Sequence, residues 1–182
     1  AGNKYLASAI AKYDELTKLL TGNVAKYQDS KGDADLNVKL MEGALFNMGV
    51  AYSMRSNEPE PALRAYKEKA IEIFESLGTR YPKSEFAPLA INQVGTLWTV
   101  LDNPDKAKNA LEQLQQRYPE SPEAKNALFL LGKSLLELGR RQQAVRIFKD
   151  MFTGEGAYSD AQLLTAGNEL LAAGERDIAL EA

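Results

Sequence analysis

The chain has 182 residues, of which 45% are hydrophobic, and 22 Lys and Arg against 25 Asp and Glu give a formal net charge of -3. It contains no cysteine and no histidine, which excludes disulfides, thiolate nucleophiles, histidine-dependent triads and nearly every zinc or transition-metal site. The negative charge also disfavours nucleic-acid binding, which needs clustered Lys and Arg. No apolar run is long enough for direct membrane insertion. We therefore expect no cofactor and no metal.

Apolar residues recur at intervals of three and four, as at Leu128, Leu131, Leu135 and Leu138, which is typical of amphipathic helices. No segment shows sustained strand alternation. The pattern predicts helices over residues 3–20, 38–55, 61–78, 85–101, 104–118, 122–138, 141–152 and 158–173. A ninth helix is predicted to begin near Glu175.

The residues between these helices favour short reversals. Pro104 and Pro122 follow polar residues and suit the first turn of a helix, whereas Gly139 and Gly174 suit a helix end. Successive helices are therefore predicted to form antiparallel hairpins.

A segment repeats at an interval of 37 residues. Arg80-Tyr81-Pro82-Lys83-Ser84 returns as Arg117-Tyr118-Pro119-Glu120-Ser121, and Gly95 returns as Gly132. Ala70, Ala107 and Ala144 are each followed four residues later by a large apolar residue. Such a period is typical of a solenoid, whose units bury their apolar faces only by stacking on their neighbours.

The repeated unit resembles the tetratricopeptide repeat (TPR). Its small and large apolar positions are Ile91, Val94, Gly95, Trp98, Ala107, Leu111 and Pro119, then Leu128, Leu131, Gly132, Leu135, Ala144 and Phe148. An earlier copy has Leu45, Met48, Gly49, Tyr52, Ala70, Phe74 and Pro82, and a partial later copy has Leu163, Gly167, Leu170 and Ala179. The Tyr-Pro-x-Ser connection resembles that of bacterial envelope TPR proteins, of the β-barrel assembly lipoprotein and Tol-Pal-associated types.

The resemblance implies an all-α, TPR-like α-solenoid of antiparallel helix hairpins that forms a right-handed superhelix. We expect a single solenoid segment without separate domains, in five parts. These are a partial repeat plus connector (1–37), a repeat with an insertion (38–84), two repeats (85–121 and 122–157) and a partial repeat (158–182). The favoured location is the periplasm or cell envelope rather than the cytoplasm.

The chain departs from the repeat in two places. Gly49 and Ala70 are 21 positions apart, whereas the matching residues of later repeats are 12 positions apart, so longer helices or an edge loop are expected around Met54 to Tyr66. Ala9, Tyr13 and Leu16 match the second helix of a hairpin whose first helix is missing. The chain therefore looks like a segment of a longer protein, with ends that could drive dimer formation.

In TPR proteins the first helix of each hairpin lines a concave groove. Carried onto this chain, the groove positions are Phe46, Val50 and Ser53; Asn92, Thr96 and Thr99; Phe129, Lys133 and Leu136; and Leu164, Asn168 and Leu171. Apolar anchors there alternate with amides, hydroxyls and one cation, which suits an extended or helical peptide. The alternative for Phe46 and Phe129 is packing against neighbouring repeats.

Four further motifs have simpler structural explanations. Gly132-Lys133-Ser134 is similar to the end of a phosphate-binding loop but is predicted inside a helix. Asp33-Ala34-Asp35-Leu36-Asn37 alternates oxygen ligands as a calcium loop does, but is interpreted as a polar connector ending in a helix cap. Seven tyrosines are interpreted as core or rim rather than a stacking platform: Tyr5, Tyr13, Tyr27, Tyr52, Tyr66, Tyr81 and Tyr118. Arg140, Arg141, Arg146, Lys149 and Lys133 form either a solvated face or a basic patch for an acidic partner.

The main hypothesis is a non-catalytic scaffold that binds a protein or peptide in the groove, in a bacterial envelope assembly. The alternative is a structural module that oligomerises through its end helices, near residues 5–20 and 163–182. An RNA-binding helical repeat is disfavoured by the charge, and an enzyme by the lack of tuned catalytic groups.

Overall fold

The computed structural model describes residues 2–24, 31–153, 158–172 and 174, and within these ranges the regular structure is entirely helical. The described helices are α1 Gly2–Val24, α2 Lys31–Ser53, α3 Ala62–Arg80, α4 Phe86–Val100, α5 Pro104–Arg117, α6 Pro122–Glu137, α7 Arg141–Thr153 and α8 Asp160–Ala172. The predicted all-α class is therefore confirmed. The predicted ninth helix near Glu175 lies outside the described residues.

The largest difference from the predicted boundaries is at the start of the second helix. The second helix was expected to begin at residue 38 after a polar connector, but α2 begins at Lys31. Asp35 and Asn37 therefore lie inside the helix and do not cap it, and residues 33–37 do not form a calcium loop. Asp and Asn are only moderately unfavourable within helices, so the apolar face of α2 outweighs their local preference.

The helices of the central repeats begin where their sequence predicts. The Asn103 side chain accepts a hydrogen bond from the Lys106 N–H (3.2 Å), and Pro104 occupies the first turn of α5. Ser121 likewise accepts from the Ala124 N–H (3.1 Å) ahead of Pro122 in α6. Each cap satisfies an amide that the first helical turn leaves without a partner.

Gly139 ends α6 as predicted. Its φ of +70° lies in the left-handed region, which glycine adopts at little cost. The Gly139 N–H donates to the Leu136 carbonyl (2.9 Å) and the Arg140 N–H to the Leu135 carbonyl (2.8 Å), which closes the helix end and reverses the chain towards α7.

The chain divides into two compact units, Ala1–Leu97 and Trp98–Ala182. In the first unit α1 packs against α2 and α2 against α3; in the second, α5 packs against α6, α6 against α7 and α7 against α8. Each unit has its own core, because Phe74 and Leu77 are fully buried in the first and Leu111 and Phe148 in the second. Packing of consecutive helices is what a hairpin repeat requires.

A glycine facing an aromatic ring joins the two helices of a hairpin in both units. A Cβ built on Gly49 of α2 would lie 2.6 Å from Cε1 of Phe74 in α3, and a Cβ on Gly132 of α6 would overlap the Phe148 ring of α7. Phe74 and Phe148 are both 0% exposed, so each ring is enclosed by the rest of its unit. The repeat positions Gly49 and Gly132 are therefore close-packing residues.

The Tyr-Pro-x-Ser connection forms a closed turn in each unit. The Ser84 N–H donates to the Tyr81 carbonyl (3.0 Å), and the Ser121 N–H donates to the Tyr118 carbonyl (2.9 Å). The Ser84 hydroxyl accepts from the Phe86 N–H (3.2 Å) and donates to the Glu42 carboxylate (2.9 Å). The turn thus ends one helix and caps the next.

The insertion forms a loop over residues 54–61 and lengthens α3 to 19 residues, against 14 in α5. The loop is fixed by Arg55, which is 9% exposed. Its guanidinium donates to Glu58 (2.6 Å), to the Tyr66 hydroxyl (3.2 Å) and to the Asn3 carbonyl (3.3 Å). Both outcomes expected for the extra residues, a loop and a longer helix, therefore occur together.

Candidate functional site

In the first unit, the groove positions on α2 are half-buried. Phe46 lies between two other rings, with its centroid 5.1 Å from that of Phe86 and 5.6 Å from that of Phe74. Val50 is half-buried, and the Ser53 hydroxyl donates to the Val50 carbonyl (2.8 Å). Phe46 thus has packing partners of its own, and only the remaining exposed edge of its ring is open to a ligand.

Asn92 and Thr96 lie one turn apart on α4. The Thr96 hydroxyl donates to the Asn92 carbonyl (3.0 Å), so its lone pairs stay open to a donor. The Oδ1 atom of Asn92 is buried and has no hydrogen-bond partner. A partner's backbone N–H would therefore reach Asn92 only after a local rearrangement.

In the second unit, Thr99 at the end of α4 is half-buried, as are Phe129 and Leu136 on α6. Lys133 is exposed and lies 3.8 Å from the Glu137 carboxylate, one turn further along the same helix. An exposed pair of this kind is weak, so it leaves the ammonium able to exchange partners. The face of α6 therefore presents a cation between two half-buried apolar residues.

The α8 helix has the most open groove positions. Leu164 is 67% exposed, Leu171 is 42% exposed, and Asn168 between them is also exposed. The opposite side of α8 is buried through Ala166, Gly167 and Leu170. An amide flanked by two exposed leucines offers both hydrogen bonding and apolar area to a ligand.

The alternative motifs are explained by packing. The stretch containing Gly132, Lys133 and Ser134 lies within α6, where Gly132 faces Phe148 and the Ser134 side chain is fully buried, so it forms no phosphate-binding loop.

Among the described residues, no group of three or more Asp and Glu could hold a metal ion. None of the helices in the described ranges combines the length and apolarity needed to cross a membrane.

The basic residues around α7 are partly neutralised. Arg141 pairs with Glu169 (3.1 Å), and Lys133 is near Glu137 (3.8 Å), whereas Arg140 and Arg146 are exposed. Because acidic side chains accompany the cations, these residues form a mixed-charge face rather than a concentrated basic patch.

The tyrosines are mostly semi-buried, as predicted, with one exception. Tyr13, Tyr52, Tyr66, Tyr81 and Tyr118 are half-buried, Tyr27 lies outside the described residues, and Tyr5 is 77% exposed. Two features were not predicted. Lys106 Nζ lies 4.0 Å from the centre of the Trp98 ring, and a hollow opens on α1 beside Tyr5. Two tyrosines line this hollow, the exposed Tyr5 and the half-buried Tyr13.

Comparison with known protein families identifies the repeats of this chain. The tetratricopeptide repeat model matches residues 43–84, 95–121 and 126–151, which together make up slightly more than half of the chain. No curated protein matches the chain significantly. The matched segments contain Gly49 with Phe74 and Gly132 with Phe148, so the family pattern coincides with the close-packed contacts of the fold. Together, the helix hairpins and the matched repeats make the fold a TPR-like α-solenoid, and the chain belongs to the tetratricopeptide repeat family.

Proposed function

We propose that the protein is a non-catalytic scaffold that binds a partner protein or peptide through the exposed faces of its first helices, α2, α4, α6 and α8, in a bacterial envelope assembly. Tetratricopeptide repeats are in general protein–protein interaction modules. The observation that carries the proposal is the pair of exposed leucines on α8, Leu164 and Leu171, on either side of Asn168.

The chemistry of these faces favours a peptide or protein ligand. Burying Leu164 and Leu171 would contribute about 1.5–3 kcal/mol each if both became fully buried. Asn168 can donate to and accept from a peptide backbone, and on α6 Lys133 can pair with a carboxylate. This combination of apolar anchors with a few polar groups is what a peptide-binding surface needs.

The non-catalytic part of the proposal is supported by the kinds of polar side chain that the sequence contains. The sequence has no histidine or cysteine, and the helix-surface carboxylates Glu137 and Asp150 are exposed. A carboxylate that is solvated on a helix surface has little catalytic use. The envelope location is supported by the resemblance of the Tyr-Pro-x-Ser turns and is compatible with the absence of cysteine.

The test compares two variants that introduce the same residues on different faces. Leu164→Asp with Asn168→Arg alters the exposed face of the first helix α8. Gln113→Asp with Asn109→Arg places the same side chains at the same four-residue spacing on α5, a second helix, where both positions are exposed. Neither double variant changes the net charge. We expect both to keep the helical circular dichroism spectrum.

The tagged parent and both variants are used to capture proteins from separate envelope and cytosolic fractions, followed by mass spectrometry. A protein held by the parent and the α5 variant but lost from the α8 variant supports binding at the first-helix face. Its fraction of origin tests the location. If the α8 variant retains every partner, or the α5 variant loses the same ones, the proposed site is wrong.

A further inference from the structure

The loop between α2 and α3 reaches back to the first turn of α1. The side-chain amide of Asn3 donates to the Ser56 carbonyl and to the Glu58 carboxylate (3.0 Å). In return, the Arg55 guanidinium donates to the Asn3 carbonyl (3.3 Å). The partners in these contacts are at least 52 positions apart in the chain. They are therefore tertiary contacts between the insertion and α1, not part of a local turn.

The same loop is bound to the start of α3. The Arg55 guanidinium donates to the Tyr66 hydroxyl (3.2 Å) and lies 4.3 Å from the centre of the Tyr66 ring. The neighbouring Lys67 ammonium donates to the carbonyls of Ser53 and Arg55. One buried side chain, Arg55, thus contacts both α1 and α3.

The loop is held mainly by these polar contacts. Arg55 and Glu58 form an ion pair (2.6 Å) whose side chains are 11% and 21% exposed, whereas the other six residues of the loop are exposed. Little apolar burial therefore fixes the loop in place. Because removing one partner of a buried pair leaves the other charge uncompensated, the network is expected to form or break as a whole.

The matching connection in the second unit is different. Residues 138–140 join α6 to α7, and their backbone amides donate to carbonyls within α6, as Gly139 does to Leu136 (2.9 Å). That connection closes within its own hairpin, whereas the longer loop of the first unit also contacts the preceding helix.

We infer that the insertion is a latch, formed by Asn3, Arg55, Glu58, Tyr66 and Lys67, that couples the opening of α1 to the opening of α3. Both helices pack against α2. In repeat proteins, elements that share only a neighbour can open separately. The latch connects α1 to α3 directly, so opening either helix breaks the network and favours opening of the other, as a reciprocal coupling requires. It acts without a bound partner, so its test does not depend on the proposed function.

The test is hydrogen exchange of the full chain, followed by mass spectrometry, in two mild variants. Asn3→Ala removes the side chain on α1, and Tyr66→Phe removes the hydroxyl on α3 that accepts from Arg55. We expect Asn3→Ala to accelerate exchange at least about threefold over residues 66–72 of α3, and Tyr66→Phe to do the same over residues 6–12 of α1. Each effect is read in the helix that does not contain the substitution, where a purely local role would change nothing.

Matched controls place the same substitutions away from the latch. Asn47 is exposed on α2, and Tyr81 is half-buried beyond the other end of α3. Asn47→Ala and Tyr81→Phe should leave exchange in both segments within about twofold of the parent. Exchange in α6 and α7 should also stay within about twofold in every variant, because the second unit has its own core.

A double substitution tests whether the coupling runs through Arg55. In a chain that carries Arg55→Met, adding Tyr66→Phe should not accelerate exchange in α1 further, since the hydroxyl has already lost its donor. If Arg55→Met prevents folding, as judged by circular dichroism, the two single variants decide the question.

Three outcomes would overturn the latch. The first is that each single variant accelerates exchange only in its own helix and in the loop. The second is an equal acceleration in α6 and α7, which would indicate loss of overall stability. The third is that Tyr66→Phe accelerates exchange in α1 as strongly with Arg55→Met as without it.

Discussion

At the scale of single residues, two serine hydroxyls of α6 have opposite effects on stability. The Ser121 hydroxyl accepts from the Ala124 N–H at the start of α6, whereas Ser134 in the last turn of the same helix is fully buried and its Oγ has no hydrogen-bond partner. A capping hydroxyl stabilises a helix, and a buried hydroxyl without a partner destabilises it.

Alanine substitutions should therefore change stability in opposite directions. We expect Ser134→Ala to raise the free energy of unfolding by about 1 kcal/mol, because it removes a desolvated hydroxyl and adds a better helix former. We expect Ser121→Ala to lower it by about 1 kcal/mol through loss of the cap. Urea denaturation of both variants measures the two changes, and a destabilising Ser134→Ala would mean that its hydroxyl has a partner.

At the scale of elements, the insertion loop is tied to α1 and α3 by Arg55. Its guanidinium also lies 4.3 Å from the centre of the Tyr66 ring. Beside it, the Lys67 ammonium donates to the carbonyls of Ser53 and Arg55, and burial lowers the pKa of Lys67. The loop is therefore held by buried polar contacts rather than by apolar packing alone.

Removing this guanidinium should destabilise the folded protein. We expect Arg55→Met to lower the free energy of unfolding by about 3 kcal/mol, because Glu58 and Tyr66 lose a buried partner. The control is Arg64→Met on α3, where Arg64 pairs with Glu68 at 3.0 Å and both side chains are about half exposed. Its expected effect is under about 1 kcal/mol. Equal losses in chemical denaturation would refute a special role for Arg55.

The start of α8 is tied to α6 by Tyr158. Its hydroxyl donates to the Lys125 carbonyl, and burial raises the pKa of Tyr158 to about 12, from an ordinary value of 10.0. Since the folded-state pKa is above the unfolded one, the associated stability is fully present below pH 10. It is lost as the pH rises from 10 to about 12.

We therefore expect the parent to lose stability faster than Tyr158→Phe across that pH window. The phenylalanine variant cannot ionise there, although loss of the hydroxyl makes it less stable at neutral pH. Denaturant midpoints measured between pH 9 and 12 on both proteins give the two slopes. Parallel slopes would show that Tyr158 ionises equally in the folded and unfolded states.

At the scale of the whole molecule, the cores of both units contain the same kind of contact, a glycine packed against a phenylalanine ring. The pairs are Gly49 with Phe74 and Gly132 with Phe148. In repeat proteins each helix pair is stabilised mainly by its immediate neighbours. The consequences of a clash should therefore stay close to the substituted pair.

We expect Gly49→Ala to lower the free energy of local opening in α2 and α3 by about 1–3 kcal/mol, and Gly132→Ala to do the same in α6 and α7. Hydrogen exchange followed by mass spectrometry should show faster exchange in those helices. Gly22→Ala, which adds a methyl group in open space on α1, is the control and should not accelerate exchange. Acceleration spread evenly over all helices would contradict the localised effect.

The residues predicted to line the groove differ in how far they are exposed. Lys133, Leu164, Asn168 and Leu171 are exposed on first helices, as a groove requires, but Phe46 packs between two rings and Asn92 has a buried amide oxygen. Helical spacing indicates which residues share a face. It does not indicate how far neighbouring side chains cover each residue.

The sequence by itself determined the helix hairpins, the starts of α5 and α6, the end of α6 at Gly139 and the family. These depend on neighbouring residues and on the repeat period, because caps, proline positions and apolar spacing act within a turn or two. The tertiary structure decided that α2 begins at Lys31, that Arg55 fixes the insertion and that Phe46 packs between two rings. Each depends on contacts between residues distant in the chain, which local sequence patterns do not specify.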